Sequence, residues 1–319
     1  MEKLLEVRHV KKYFPTPRGL LHAVDDVSFD VDKRTTLGVV GESGCGKSTL
    51  GRTVVGLLEP TEGQILFEGR EISGLKRRQR KKLSAEIQII FQDPFSCLDP
   101  RLNVRDLIAE PLDINKAYHN KAERDAAVTE LMETVGLAKR FENSYPHELD
   151  GGRRQRIGIA RALALDPKFI LCDEPVSALD VSIQAQILNL LQDLQEAKGL
   201  TYLFITHNLS VVKHISDHIL VMYLGTVVEK GSKNELYQNP KHPYTQALLS
   251  AIPIPTANHQ HRRMILRGEI SSPIEPAPGC RFAPRCPFAT EICAQVTPEF
   301  QTVGPEHTAA CHHLSHGIF

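Results

Sequence analysis

Short apolar stretches of strand length recur along the chain, and most are separated by enough residues to form a helix. Leu4 to Val10, Val27 to Val31 and Gln64 to Phe67 are short strand patterns that alternate with turns, and the last runs into the turn pair Glu68-Gly69. They predict antiparallel edge strands in the first 70 residues. Thr36 to Val40 is apolar and ends in a Gly-rich loop, and helical periodicity begins at Ser48. Ile87 to Phe91, Phe169 to Asp173, Tyr202 to Thr206 and Ile219 to Tyr223 are further apolar runs, separated by helical stretches. Buried strands alternating with helices predict an α/β fold with a mainly parallel sheet covered on both faces. One helix is expected over Val181 to Lys198, with Ile183, Ile187, Leu190, Leu191 and Leu194 on one face.

Between Pro94 and Ala164 the strand pattern gives way to helical segments. One is Lys121 to Val135, where Ala127, Leu131 and Val135 recur every four residues, so a helical insertion is predicted there. Ser232 and Glu235 suit a capping box for a short helix ended by Asn239-Pro240. From Pro253 the chain becomes Pro-rich, gains His and Cys and loses periodicity, so the tail is expected to be a separate element.

Composition narrows the class. The 319 residues, 41% hydrophobic and 24% charged, lie in the globular range and argue against disordered, collagen-like and coiled-coil chains. Thirty-eight Lys plus Arg balance 38 Asp plus Glu, so no net field draws the molecule to a polyanion, and any polyanion must be held locally. No run of 18 apolar residues occurs, and Met1 to Arg8 carries charges where a signal peptide would be apolar. A soluble, cytoplasmic protein is expected. Of seven cysteines, Cys280, Cys286, Cys293 and Cys311 lie in the tail, which in a reducing compartment suggests metal before disulfide.

The candidate chemistry begins with Gly41-Glu42-Ser43-Gly44-Cys45-Gly46-Lys47-Ser48, a phosphate-loop pattern after a predicted strand and before a predicted helix. Its glycines let successive main-chain N–H groups face one point, and the helix N-terminus adds partial positive charge. Lys47 would reach the β and γ phosphates, with Ser48 on Mg²⁺. Phe169 to Asp173 then ends in Asp173-Glu174, two carboxylates at the tip of a buried strand. Asp173 would hold Mg²⁺ and Glu174 would polarise the attacking water.

Several further segments fall in a fixed order. Gln92 follows its strand, Leu149-Asp150-Gly151-Gly152-Arg153 precedes Arg154-Gln155-Arg156, Ser177-Ala178-Leu179-Asp180 follows Glu174, and His207 follows Phe204-Ile205-Thr206. With the phosphate loop this series resembles the nucleotide-binding subunit of an ATP-binding-cassette (ABC) transporter over residues 4–235. The resemblance implies a P-loop NTPase cassette with a RecA-like parallel-sheet core, an antiparallel β subdomain and a helical subdomain over about 95–163. It also implies a Cys-rich C-terminal extension over 236–319.

Asp173 to Ser182, Tyr223-Leu224-Gly225, and Asn239 to Leu249 (NPKHPYTQALL) resemble the dipeptide/oligopeptide importer ATPases, a branch shared with nickel importers, and within it most nearly the oligopeptide or dipeptide "F" type.

That resemblance implies an ATP hydrolase that powers peptide uptake at the cytoplasmic face of the membrane. Implied partners are a second ATPase subunit, two membrane permeases and an extracellular or periplasmic peptide-binding protein, with no nucleic acid. Nickel or another metal chelate is the alternative cargo, and a soluble cassette acting on ribosomes or DNA is the alternative of another class. For ATP the resemblance implies Gly41 to Thr49 (Glu42, Ser43, Gly44, Cys45, Gly46, Lys47, Ser48, Thr49) and Gln92, an adenine-stacking Phe14 with Tyr13 the other candidate, and His207 at the γ phosphate. Gln92 joins Ser48 and Asp173 near Mg²⁺. Asp150, Gly151, Gly152, Arg153 and Asp180 would complete the partner's site.

One departure stands out, because the family pattern is Leu-Ser-Gly-Gly-Gln and here Asp150 replaces the Ser and Arg153 the Gln. An ionised carboxylate cannot donate to a γ phosphate, and two unit charges about 4 Å apart repel by roughly 4 kcal/mol at an effective dielectric near 20. Arg153 and Arg154 can offset this charge. The two sites of a cassette pair are therefore expected to differ.

In the tail, Cys280, Cys286, Cys293 and Cys311 are separated by five, six and seventeen residues. Four thiolates suit zinc or an iron–sulfur cluster. Pro278 to Cys286 resembles the tail pattern of importer ATPases that carry a [4Fe–4S] cluster, so the resemblance implies that cofactor, with zinc as the alternative and plain thiols a third. His312, His313 and His316 are possible substitute ligands. The basic run Lys76 to Lys82 is read as a solvated helix face or a contact with lipid headgroups.

Overall fold

A computed structural model of the chain describes residues 2–93, 95–252, 264–266, 268 and 272–314, with the Arg77 side chain left out. Residues 253–263 of the Pro-rich stretch, residues 267 and 269–271, and His316 lie outside the described residues. The chain divides into two compact units, the first made of residues 2–31, 36–73 and 204–319 and the second of residues 32–35 and 74–203.

The first unit opens with β1 (Lys3–Thr16), β2 (Gly19–Asp32), β3 (Thr36–Val40), α1 (Lys47–Val54), β4 (Glu62–Phe67) and β5 (Arg70–Glu71). Strands β2, β1, β4 and β5 form a four-stranded sheet in that order. Its register sets Leu5 opposite Phe67 and Val7 opposite Ile65, so one face buries all four side chains while the intervening pair, Glu6 opposite Leu66, is only partly covered. β3 is buried along its whole length, as its unbroken apolar run requires.

The second unit contains α2 (Arg77–Glu86), β6 (Ile87–Ile90), α3 (Val104–Asn115), α4 (Lys121–Thr134), α5 (Gly151–Leu163), β7 (Phe169–Asp173), α6 (Val181–Lys198) and the start of β8 (Thr201–Ile205). β6 and β7 are parallel, and β8 neighbours β7. No strand forms between residues 95 and 163, and α3, α4 and α5 pack on one another there, as the pattern predicted. α4 buries Val128, Met132 and the following Val135, whereas Ala127 and Leu131 are only partly covered. The buried stripe is displaced by one residue because two neighbouring helices choose which side of α4 faces inward. α6 matches its expected span and buries Ile187, Leu188, Leu191 and Leu194.

The first unit resumes with α7 (Leu209–Ile215), β9 (His218–Tyr223), β10 (Thr226–Ser232), α8 (Lys233–Gln238), α9 (Pro243–Ser250), α10 (Glu291–Gln295), β11 (Phe300–Gly304) and β12 (His307–Ala310). β9 is parallel to β3, and the sheet continues antiparallel through β10 and β12 to β11. The tail is therefore not a separate element. Thr308 and Ala309 pair with Lys230 and Glu229, and Phe282 packs in the same core cluster as Val40, Val221, Tyr223 and Tyr244. β10 would otherwise expose an edge of unpaired amides and carbonyls. The pattern change near residue 235 is a change of sequence character, not a break in packing. Among the described residues no helix is long and apolar enough to cross a membrane.

Candidate active site

β3 delivers the chain into the phosphate loop, and two glycines allow its path. A Cβ on Gly41 would lie 2.2 Å from the Met222 carbonyl oxygen, and one on Gly46, at φ 102°, 2.0 Å from that of Ala23. Ser43 and Gly44 are exposed while Cys45 and Lys47 are buried, so the loop opens at its middle and is anchored at its ends. Lys47 Nζ donates to the Gly41 and Glu42 carbonyls at 2.8 and 2.9 Å. α1 starts at left-handed Gly46 with no side-chain cap and no acidic residue in its first turn, which leaves its positive end to a ligand. Burial pushes the Cys45 thiol up, so this cysteine is packing and not a reactive thiolate.

The loop has a partner below it. Glu42 N–H donates to the buried Tyr244 hydroxyl at 2.8 Å. Tyr244 N–H donates in turn to His242 Nδ1 at 3.1 Å, a ring nitrogen that must be unprotonated to accept. Burial drives the His242 pKa down to about 4, with Glu229 opposing in the smaller sense. Glu229, itself buried, accepts from the main-chain N–H groups of Lys241 and His242 at 2.6 and 2.9 Å and lies 2.7 Å from His307 Nε2.

Also in this unit, His207 follows β8 and is exposed, and Thr206 N–H reaches the Val39 carbonyl at 3.2 Å. Phe14 carries Lys12 Nζ 5.0 Å from its ring centroid. Tyr13 stacks on His22 at 3.9 Å, and its hydroxyl is hydrogen-bonded to Asp25. Tyr13 is thereby occupied within the fold.

In the second unit Asp173 is buried at the end of β7. Glu174 takes left-handed φ of 48°, a strained setting for a non-glycine residue. Gln92 Nε2 donates to Glu174 Oε2 at 3.2 Å. Asp150 is the N-cap of α5: its Oδ1 accepts from Arg153 N–H at 2.8 Å, and its other oxygen is paired with the Arg153 guanidinium. Arg153 also lies 4.7 Å over the Phe141 ring, while Arg154 turns to the Pro146 carbonyl and the Phe95 ring. Asp150 therefore carries a compensated charge. Gly151 and Gly152 abut Leu179 and Ile183, where a Cβ would meet side-chain carbons at 3.0 and 2.7 Å. Asp180 caps α6 through Ile183 N–H at 3.0 Å. The fold thus gathers the Gly-Gly segment and the Asp180 turn into one patch.

The four tail cysteines do not form a metal centre, and the expected [4Fe–4S] cluster and its zinc alternative are corrected accordingly. Among the described residues no group of three or more His, Cys, Asp or Glu side chains is placed to hold a metal ion. All four are unbridged thiols, and burial, with a smaller push from the neighbouring tail thiols, raises Cys280 and Cys311 and takes Cys286 to about 11. Cys293 Sγ sits 3.5 Å from Thr290 Oγ1 and 3.6 Å from His313 Nε2, and His312 Nε2 is 2.8 Å from the Val296 carbonyl oxygen. The number of thiols in the tail sets a ligand count but not the geometry of a metal site. Main-chain bonds such as Cys280 N–H to the Cys293 carbonyl at 2.7 Å close the segment instead.

The reading of single residues missed Tyr244, Phe141, Arg281 and Arg285. The arginines stood inside the Cys-Arg-Phe-Ala-Pro-Arg-Cys run but drew no attention beside the cysteines.

The chain matches a family model described as ABC transporter over residues 24–177 and another described as oligopeptide/dipeptide transporter, C-terminal region, over residues 228–293. It is 54% identical to the oligopeptide transport ATP-binding protein AppF of Bacillus subtilis (strain 168), across 98% of this chain and 97% of that protein. Identity to OppF of the same organism, also an oligopeptide transport ATP-binding protein, is 53% across 97% and 96%. Among solved structures, the dimeric post-hydrolysis state of the ATP-binding cassette MJ0796 bound to ADP and Pi superposes with a TM-score of 0.67 at 28% identity, covering 72% of this chain and 99% of that one.

Proposed function

Because this chain belongs to the ATP-binding-cassette transporter family, in its oligopeptide/dipeptide branch, we propose that it is the ATP-hydrolysing subunit of a peptide importer, with the phosphate loop as its grip on nucleotide. The observation that carries this is the loop itself: exposed at Ser43-Gly44, uncapped at α1, and lined by an ammonium parked on its own carbonyls. On ATP binding, Lys47 would exchange the Gly41 and Glu42 carbonyls for phosphate oxygens, and Phe14 would stack on the adenine. His207 would contact the γ phosphate. Ser48, Asp173 and Gln92 offer hydroxyl, carboxylate and amide oxygens, a donor set that suits Mg²⁺, which would neutralise phosphate charge when bound. Glu174, its carboxylate bonded to Gln92, would take a proton from the attacking water.

The patch of Asp150 to Arg153 and Asp180 would close over the ATP held by a second, similar ATPase subunit, in a head-to-tail pair that acts on two permeases at the cytoplasmic face. A peptide-binding protein would supply cargo. Residues 1–235 would carry the cassette and 236–319 the extension. Co-purification with the permeases, followed by ATPase measurement with short peptides, tests the proposal. Peptide-stimulated phosphate release is expected, and stimulation by a nickel chelate but not by peptide would reassign the cargo.

A further inference from the structure

Both limbs of the phosphate loop are fastened by one turn of the tail. Arg285 donates to the Glu42 carboxylate through both Nη atoms, at 2.6 and 3.1 Å, and its Nη1 lies 3.4 Å from the Tyr223 hydroxyl. Its side chain is about one-tenth exposed. Four residues earlier, Arg281 is paired with Asp25 and donates to the Leu224 carbonyl. Gly225 N–H donates to the Cys45 carbonyl and Asp25 N–H to the Gly225 carbonyl, both at 2.8 Å, so Arg281 ties down the turn on which the second limb leans. Between the two arginines, buried Phe282 meets Tyr223 at 5.2 Å and Tyr244 at 5.4 Å, centroid to centroid. Tyr244 holds the Glu42 main chain.

We propose that Arg285 is a positioning residue for ATP binding: it neutralises Glu42 and fixes the first limb of the loop, so that the C-terminal extension sets this chain's affinity for nucleotide. Glu42 is the one acid inside the loop. An unpaired carboxylate there would face a triphosphate of the same sign. A bidentate guanidinium removes that charge and also fixes its direction, which a point charge on a flexible stem does not. The carbonyl of the same residue is a resting place for Lys47, so holding Glu42 also holds the platform from which Lys47 moves to phosphate.

This inference rests on the loop binding ATP, and the test separates the two. The full-length chain is titrated with ATP and Mg²⁺ by calorimetry, and the melting temperature without nucleotide is recorded for each variant. Arg285→Gln is expected to weaken binding about tenfold, and Arg285→Lys by a smaller factor with unchanged melting. In a Glu42→Gln background the further change to Gln at 285 is expected to alter affinity less than about twofold, because the pair is already broken. Wild-type uptake of ATP with Arg285→Gln within twofold of it overturns the proposal, as does equal weakening in both backgrounds. If Arg285→Gln does not fold, Arg285→Lys decides, and wild-type affinity there overturns the proposal. No ATP uptake by the wild-type chain overturns the ATP reading itself.

Discussion

Two helix N-termini in this molecule face opposite fates. α1 begins at a left-handed glycine without a side-chain cap, and its neighbouring cation rests on loop carbonyls. α5 begins at Asp150, whose carboxylate satisfies Arg153 N–H and pairs with the same residue's guanidinium. Both helices own the same partial positive charge. The difference teaches that an anion site is made by withholding the cap as much as by supplying the dipole. One end is left uncapped, and the other already holds an anion of its own.

The hardest way to break the open end is through its chemistry. Glu174→Gln should lower phosphate release from the assembled transporter by about 100-fold or more while ATP binding persists, since only the base is removed. Unaltered turnover would remove Glu174 from its role. Next is Gly46→Ala, whose Cβ would meet the Ala23 carbonyl from a left-handed backbone. Affinity for ATP, read by calorimetry, should fall by roughly 30-fold or more, a cost of at least about 2 kcal/mol.

Acid sharpens the comparison in another way. His242 is neutral in the fold, with a pKa near 4 against 6.5 for the ordinary group, so the unfolded chain takes up a proton that the folded one refuses. Stability should therefore be full above about pH 6.5 and be lost as the pH falls toward 4. Between about pH 7 and 5 this single group should remove roughly 2 kcal/mol. Denaturant melts of wild-type and His242→Asn chains at both pH values check it, and an equal slope in the two would assign the loss elsewhere.

The smallest effect is expected at the closed end. Asp150→Ser restores a hydroxyl that can donate to phosphate, but Arg153 already offsets the carboxylate, so ATPase rate in the assembled pair should rise only about two- to fivefold. An unchanged or reduced rate would show that Asp150 does not slow a site.

Strand positions were readable wherever burial on both faces left an unbroken apolar run, as in β3, β7 and β9. The phosphate loop was readable because its chemistry demands glycines and a lysine at fixed spacing. α4 was placed correctly but rotated by one residue, since its own periodicity does not record which side its neighbours occupy. The cysteines were overread and the arginines beside them underread for one reason: spacing along the chain carries no information on convergence in space.

The amino-acid sequence by itself therefore determined the α/β class, the loop, the Asp173-Glu174 strand tip and the family, because each rests on local periodicity or fixed short spacing. Tertiary structure alone decided that the tail joins the sheet at β10, that its described thiols are not set to hold a metal ion, that Asp150 is a cap, and that Arg285 reaches Glu42 from 243 positions away. Those are contacts between distant segments, and only the packing that brings the segments together fixes which side chains meet.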